Sequence, residues 1–328
     1  MSTAFRENVR RWDWRRWDWR GRAGENASYS AIVSPSLTLE WFGCTTFRVR
    51  VAGLTLFFDT YLDRPPSIPD VGLTSSAVDS ADFAFISHAH YDHMLGADTI
   101  ASNAGATIVG SYETARVLRE NKVPAAQLLP VSGGETIDCG HDVRVRVFPS
   151  LHSCLFARSN PDSGAECIGD LGVSHQERSA RVAAIFESMP SIAPDLATYL
   201  LSTDGHSSRV DGGQLNYLVE TPDGSILVNA SSGYWTGILR DLRPDVALIA
   251  LAGRPNVDGE PHQGSLAQFL VDEVELLKPS KVVLCHHDPL LPPLLPGVDT
   301  GEAIASLARD ASYAQHVDLP YSEPVAIL

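Results

Sequence analysis

The chain has 328 residues, 44% of them hydrophobic, which is enough for one large core or two small ones. Its net charge of −15 argues against nucleic acid as a main partner, because phosphate recognition needs a basic surface. The five cysteines (Cys44, Cys139, Cys154, Cys167 and Cys285) show no CxxC spacing and read as thiols of a reducing compartment rather than a disulfide framework. No apolar signal core and no run of about eighteen apolar residues is visible, so a cytoplasmic protein without stable membrane insertion is expected.

Residues 1–35 stand apart. Trp12-Asp13-Trp14-Arg15 recurs as Trp17-Asp18-Trp19-Arg20, and the segment carries seven arginines in an otherwise acidic chain. Phe5, Val9, Trp12 and Trp19 fall near one helical stripe. Such an arm is expected to fold back on its own acidic body or to join a second copy in a homo-oligomer, since tryptophan and arginine favour interfaces. Docking on a membrane surface, or on single-stranded nucleic acid, is the weaker alternative. The remainder, residues 36–328, reads as one domain with a helical insertion at about 154–212.

From Leu37 the pattern has period two. Leu37, Leu39 and Trp41 alternate with polar residues, then Phe47, Val49 and Val51, then Leu54, Leu56 and Phe58. This predicts an antiparallel meander of half-buried strands ending at Asp59. Asp82–Ile86 is a short apolar run expected to form a buried strand. It leads into His88-Ala89-His90-Tyr91-Asp92-His93, with a helix expected from about Met94. Three histidines and an aspartate at a strand's carboxyl end make a borderline-soft metal site, for which zinc is the usual ion.

Strands are expected next over Ala106–Gly110, Glu135–Cys139 and Val143–Pro149, with a helix over Glu113–Asn121 capped by Ser111. His152 lies just past the last of these strands. Ser159–Gly172 reads as loop, and Gln176–Ser188 as a helix with Val182, Ile185, Phe186 and Met189 on one face. Leu215–Glu220 and Ser225–Asn229 predict a hairpin, Asp245–Leu251 a strand and Gly264–Leu277 a helix. Lys281–Cys285 predicts a last strand running into His286-His287-Asp288.

His88, His90, Asp92 and His93, followed by Gly96, resemble the HxHxDH signature of the metallo-β-lactamase superfamily. From about Leu37 onward the chain looks most like the branch that includes ascorbate-phosphate lactonases and N-acyl-phosphatidylethanolamine phospholipase D. The resemblance implies an α+β fold, an αβ/βα sandwich of two mixed β-sheets with helices on the outside. It implies one metal on His88, His90 and His152 and a second on Asp92, His93 and His286, with His287 as the alternative last ligand. Asp59 would serve as a hydrogen-bond partner for backbone or for a metal histidine. His287 would stand where relatives often carry an aromatic residue. The pattern breaks after Ser225–Asn229, where dinuclear members place a bridging aspartate and this chain reads Asn229-Ala230-Ser231-Ser232-Gly233. One or two Zn2+ ions are therefore expected, with Mn2+ or Fe2+ as alternatives.

The activity implied is hydrolysis of a small-molecule ester, lactone or amide by a metal-bound hydroxide. Asp92 would orient the hydroxide and pass a proton, or act as general base if one metal suffices. Cleavage of a lipid or small phosphodiester is the alternative, and a degenerate metal-binding interaction module a third reading. The insertion is expected to cover the site. His175, His206 and His287 are candidate substrate contacts, and Arg158, Arg178, Arg181 and Arg209 could hold a phosphate or carboxylate.

Overall fold

Alternating apolar residues dictate the first hairpins: β1 (Thr38–Trp41), β2 (Phe47–Val51) and β3 (Leu54–Phe58) pair antiparallel. A computed structural model describes residues 37–154, 174–290 and 296–328; the expectations for residues 1–35, the loop at 159–172 and Arg158 lie outside these. After β3 the chain crosses to β4 (Phe83–Phe85) and turns through α1 (Tyr91–Met94) and α2 (Ala97–Ala104). It returns as β5 (Thr107–Gly110), and α3 (Tyr112–Glu120) leads to β6 (Leu128–Pro130). Strands β3 to β6 run parallel, as helical crossovers require.

A second sheet begins with the hairpin β7 (Thr136–Gly140) and β8 (Val143–Pro149). Helices α4 (His175–Ile192) and α5 (Pro194–Ser202) precede a second hairpin, β9 (Leu215–Thr221) and β10 (Gly224–Asn229). Then come β11 (Gly233–Tyr234), α6 (Thr236–Leu239), β12 (Val246–Ala250), β13 (Asn256–Val257) and β14 (Glu260–Pro261). The chain continues through α7 (Leu266–Leu277), β15 (Lys281–Cys285), α8 (Gly301–Asp310), β16 (Gln315–His316) and β17 (Val325–Ala326). The two large sheets are ordered β17-β1-β2-β3-β4-β5-β6 and β16-β15-β12-β10-β9-β8-β7, and each joins an antiparallel half to a parallel half.

Leu39, Val49, Leu56 and Phe85 of the first sheet meet Val145, Val219, Val228 and Val283 of the second in one buried cluster. The outer face of the first sheet is covered by α2 and α3, where Ile100, Val117 and Leu118 pack with Phe57 and Ile108. The outer face of the second is covered by α7 and α8, where Phe269, Leu270 and Leu307 pack with Leu227 and Ile249. This is the expected αβ/βα sandwich. The described residues belong to one unit, Pro35–Leu328. Among them no helix is long and apolar enough to cross a membrane.

Three local expectations need correction. The early strands are buried on both faces in places: Phe57 is fully buried, and Glu40 is buried between Arg48 and Arg50. The first helical turn starts at Tyr91 rather than Met94. Gly96, at φ +96°, separates it from α2, and a Cβ there would fall 2.9 Å from the Thr60 carbonyl oxygen. Helix α4 runs longer than expected: a capping box of Ser174 and Glu177 starts it at His175, and it continues past Pro190 to Ile192. Its apolar stripe is not buried as a unit: Met189 is buried, whereas Ile185 is 42% exposed.

Candidate metal centre

The site is assembled where strand ends from both sheets meet. Beyond β4, the backbone amide of Ile86 donates to Val109 and the Tyr217 hydroxyl donates to the Ile86 carbonyl at 2.7 Å, so the following loop leaves a fixed edge. That loop carries His88, His90, Asp92 and His93. His152 follows β8 and His286 follows β15. The potential ligand atoms of His88, His90 and His152 lie within 4.8 Å of one another, and so do those of Cys44, Asp92, His93 and His286. The two groups adjoin, with the His88 and His93 rings 3.7 Å apart between centroids.

Hydrogen bonds outside the groups decide which ring nitrogens face inward. Asp59 is buried, at φ +52°. Its Oδ1 accepts from the Ser87 amide at 2.7 Å. Its Oδ2 accepts from the Thr45 hydroxyl at 2.6 Å and the Ser87 hydroxyl at 2.9 Å, and lies 2.8 Å from His93 Nδ1. With Nδ1 engaged, His93 turns Nε2 toward Asp92, 3.4 Å from its Oδ2. His286 Nε2 approaches the same oxygen at 3.5 Å. Nδ1 of His152 is 2.9 Å from the Ser153 carbonyl, which frees its Nε2. His88 Nε2 and His90 Nδ1 face each other at 3.1 Å. Imidazoles oriented by carboxylate or carbonyl partners in this way are the usual preparation for metal binding.

Charge follows the same division. Burial and neighbouring imidazoles hold His88 well below its ordinary pKa and His90 down to about 3, and burial lowers His152. All three shifts favour the neutral ring, the form that coordinates metal. In the second group, burial would lower His93, but Asp92 and Asp59 outweigh it and raise it to about 10. Burial would raise Asp92, yet His93 and His286 outweigh it and hold the carboxyl well below the usual range. The second group thus stabilises positive charge. Imidazole nitrogens, one carboxylate and one thiol are a donor set that fits a borderline-soft dication.

A cavity of about 610 Å³ opens onto the first group, with His90, His152 and Asp211 on one side and Arg178 and Phe186 of α4 on the other. His175 and Arg209 also line it, and the Arg209 guanidinium sits 6.0 Å from the Phe186 ring centroid. Helix α4 therefore covers the cavity as the insertion was expected to do. The structure does not bring the other two candidate substrate contacts here. His206 pairs with Asp98 of α2 at 2.7 Å and is half exposed. His287 stacks on Trp41, with centroids 5.2 Å apart.

Two residues escape the sequence reading. Cys44 sits in the β1–β2 turn, at positive φ like Gly43 before it, and carries no sequence signal of its own. Asp211 stands beside His90 and His152, marked in sequence only by the Gly212-Gly213 that follows it. Where a bridging aspartate would stand, the Asn229 amide donates to Glu273 at 2.8 Å and the Ser231 hydroxyl accepts from the Ser153 amide at 3.2 Å. Among the described residues no carboxylate belongs to both groups.

An αβ/βα sandwich with two adjoining sets of ligand-type side chains at its strand ends has the architecture of the metallo-β-lactamase fold. A profile for the β-lactamase superfamily domain matches residues 55–170, the segment that carries His88, His90, Asp92, His93 and His152. The chain is 34% identical over 145 residues to a UPF0173 metal-dependent hydrolase of Pyrobaculum neutrophilum, covering 42% of this chain and 63% of that protein. A similar protein of Pyrobaculum calidifontis is 34% identical over 119 residues, 36% of this chain and 51% of that one. The chain thus spans between about half and just under two thirds of the length of these curated relatives.

Among solved structures, the metallo hydrolase Igni18 of Ignicoccus hospitalis superposes with a TM-score of 0.56 at 17% identity, covering 88% of this chain and 97% of that one. The diiron β-hydroxylase CmlA of Streptomyces venezuelae gives 0.54 at 16%, covering 90% and 55%. An isothiocyanate hydrolase from Delia radicum gut bacteria gives 0.54 at 11%, covering 88% and 98%. The match over residues 55–170 is to the β-lactamase superfamily domain, and the fold is that of metallo-β-lactamase-fold proteins. Because both hydrolases and a hydroxylase share its fold, the fold by itself does not select the chemistry.

Proposed function

We propose that the protein is a metal-dependent hydrolase that cleaves a small ester, lactone or amide. The observation that carries this reading is the junction of two ligand groups with one cavity, onto which His90 and His152 open directly. Hydrolase names among the curated relatives agree with it. His88, His90 and His152 would hold one ion, and Asp92, His93 and His286 would hold a second; zinc suits these donors best. A dication there supplies Lewis acidity and lowers the pKa of water toward neutrality.

The chain's own residues do the rest. Asp59 fixes the His93 ring, and Asp92, between His93 and His286, would serve the second ion, or act as general base if a single ion suffices. Asp211 adds a carboxylate on the cavity side. Phe186 and Val182 give the cavity an apolar wall, which suits a small acyl compound better than a large polyanion. A phosphodiester is the second reading, supported by Arg178 and Arg209 on the same cavity.

The test is metal content by elemental analysis on protein purified without added metal, together with turnover on ester, lactone, amide and phosphodiester panels. Close to two zinc ions per chain with acyl turnover supports the first reading. Phosphodiester turnover alone selects the second. Metal near zero, not restored by added zinc, removes both.

A further inference from the structure

We infer that Cys44 is a thiolate ligand of the second metal position. The inference rests on the metal centre of the preceding section and names a ligand beyond the histidine and aspartate set. The Cys44 sulfur lies within 4.8 Å of the ligand atoms of Asp92, His93 and His286, in the same group. Without it the group offers a dication a single negative charge, from Asp92. A thiolate brings the total to two and balances the ion.

The backbone holds the sulfur there against local preference. Cys44 is fully buried at φ +47°, a region that side-chain-bearing residues seldom occupy outside constrained sites. Its amide donates to Asp288 Oδ1 at 2.9 Å. Its carbonyl accepts from the His286 amide at 2.9 Å and from Trp41 Nε1 at 3.0 Å. Asp288 is itself fixed by Arg64 at 2.7 Å and by the Tyr321 hydroxyl at 2.9 Å. Gly43, at φ +76°, makes the approach to this pair feasible, since a Cβ there would fall 2.5 Å from Arg64 Nη1.

The segment that holds His286 therefore also holds Cys44. The sulfur's polar contact with Thr45 Oγ1 is long, at 3.9 Å, so little protein hydrogen bonding competes with an ion. By contrast, Cys139 and Cys285 are packed in the core between the sheets. Binding replaces the thiol proton, which leaves to solvent, by a metal–sulfur bond.

The test uses cobalt(II) titrated into the metal-free full-length protein. The expected result is an intense thiolate-to-cobalt charge-transfer absorption in the near ultraviolet that grows with the second equivalent. Cys44→Ser should remove the band and weaken the second equivalent at least tenfold while leaving the first unchanged. Cys154→Ser, the control nearest His152, should keep it. Absence of the band with two equivalents bound, its persistence in Cys44→Ser, or failure to bind a second equivalent overturns the assignment.

Should Cys44→Ser not fold, X-ray absorption on the wild-type zinc protein decides. A sulfur shell at about 2.3 Å supports the ligand, and an all-nitrogen/oxygen shell refutes it. The band without turnover on any panel upholds Cys44 and counts against the hydrolase reading; turnover without the band does the reverse.

Discussion

Asp59→Asn isolates what the buried carboxylate does for the metal centre. Asparagine tolerates a φ of +52° about as well as aspartate, so the backbone is not the variable. The side-chain oxygen can still accept from the Ser87 amide, as Oδ1 does now. The new NH₂ group then faces what Oδ2 accepts today: the Thr45 hydroxyl, the Ser87 hydroxyl and His93 Nδ1. The two hydroxyls can rotate to accept instead. The imidazole can accept only by moving its proton to Nε2, the nitrogen that faces Asp92. A protonated Nε2 cannot coordinate.

Losses of such orienting partners typically weaken metal binding about 10- to 100-fold. That range corresponds to about 1.4–2.8 kcal/mol. The assay is competition of the second equivalent of zinc against a chelator of known affinity, with circular dichroism confirming the fold. An affinity for the second equivalent within about threefold of wild type would falsify the orienting role of Asp59. A loss confined to the first equivalent would show that the groups are wrongly partitioned.

Other perturbations read other parts of the structure. His88→Ala should abolish turnover and spare the near-ultraviolet circular dichroism spectrum; unchanged turnover at equal metal content would remove the catalytic reading. Arg209→Ala should raise KM for a phosphodiester at least about tenfold and leave a neutral lactone within about twofold, if the arginine meets an anionic group in the cavity. Glu273 is raised by burial from 4.5 to about 8, against the opposing Asn229 hydrogen bond. The unfolded carboxyl ionises first, so stability falls as pH rises from about 4.5 to about 8. Glu273→Gln should therefore gain on the order of 3 kcal/mol at pH 7 and little at pH 4.5, measured as denaturant midpoints; an equal gain at both would refute the ionisation argument. Gly43→Ala should lower the unfolding free energy by about 1–3 kcal/mol, read as a lower denaturant midpoint, because the new methyl meets both Arg64 and Asp288.

Much of this architecture is legible in sequence because its signals are local. Leu37 to Phe58 alternate over three hairpinned strands, and the alternation alone gives the sheet. His88 to His93 reveal a ligand cluster because four donors crowd six positions. His152 and His286 are legible only through the resemblance, since a histidine past a strand end has no distinctive pattern of its own. Cys44 is not legible at all by that route. What aims its sulfur is a hydrogen bond to Asp288, 244 positions away, and no local pattern encodes it. His206 fails for the converse reason: its place in the insertion is right, but Asp98 captures its ring. Val182 and Phe186 keep helical spacing because they wall the cavity, whereas Ile185 lies off that wall and stays 42% exposed.

Each ligand group draws on both sheets. His88 and His90 leave β4 and His152 leaves β8; Cys44 leaves β1 and His286 leaves β15. The centre thus straddles the seam of the sandwich and gauges how the two layers are aligned. A shear of about an ångström between them would change the spacing of His152 from His88 and His90, and of His286 from His93 and Cys44, while leaving each sheet's own ladder intact. Trimming Val49 of the first sheet or Val145 of the second, which pack in the cluster between the layers, should therefore register first as altered metal affinity and only later as lost structure.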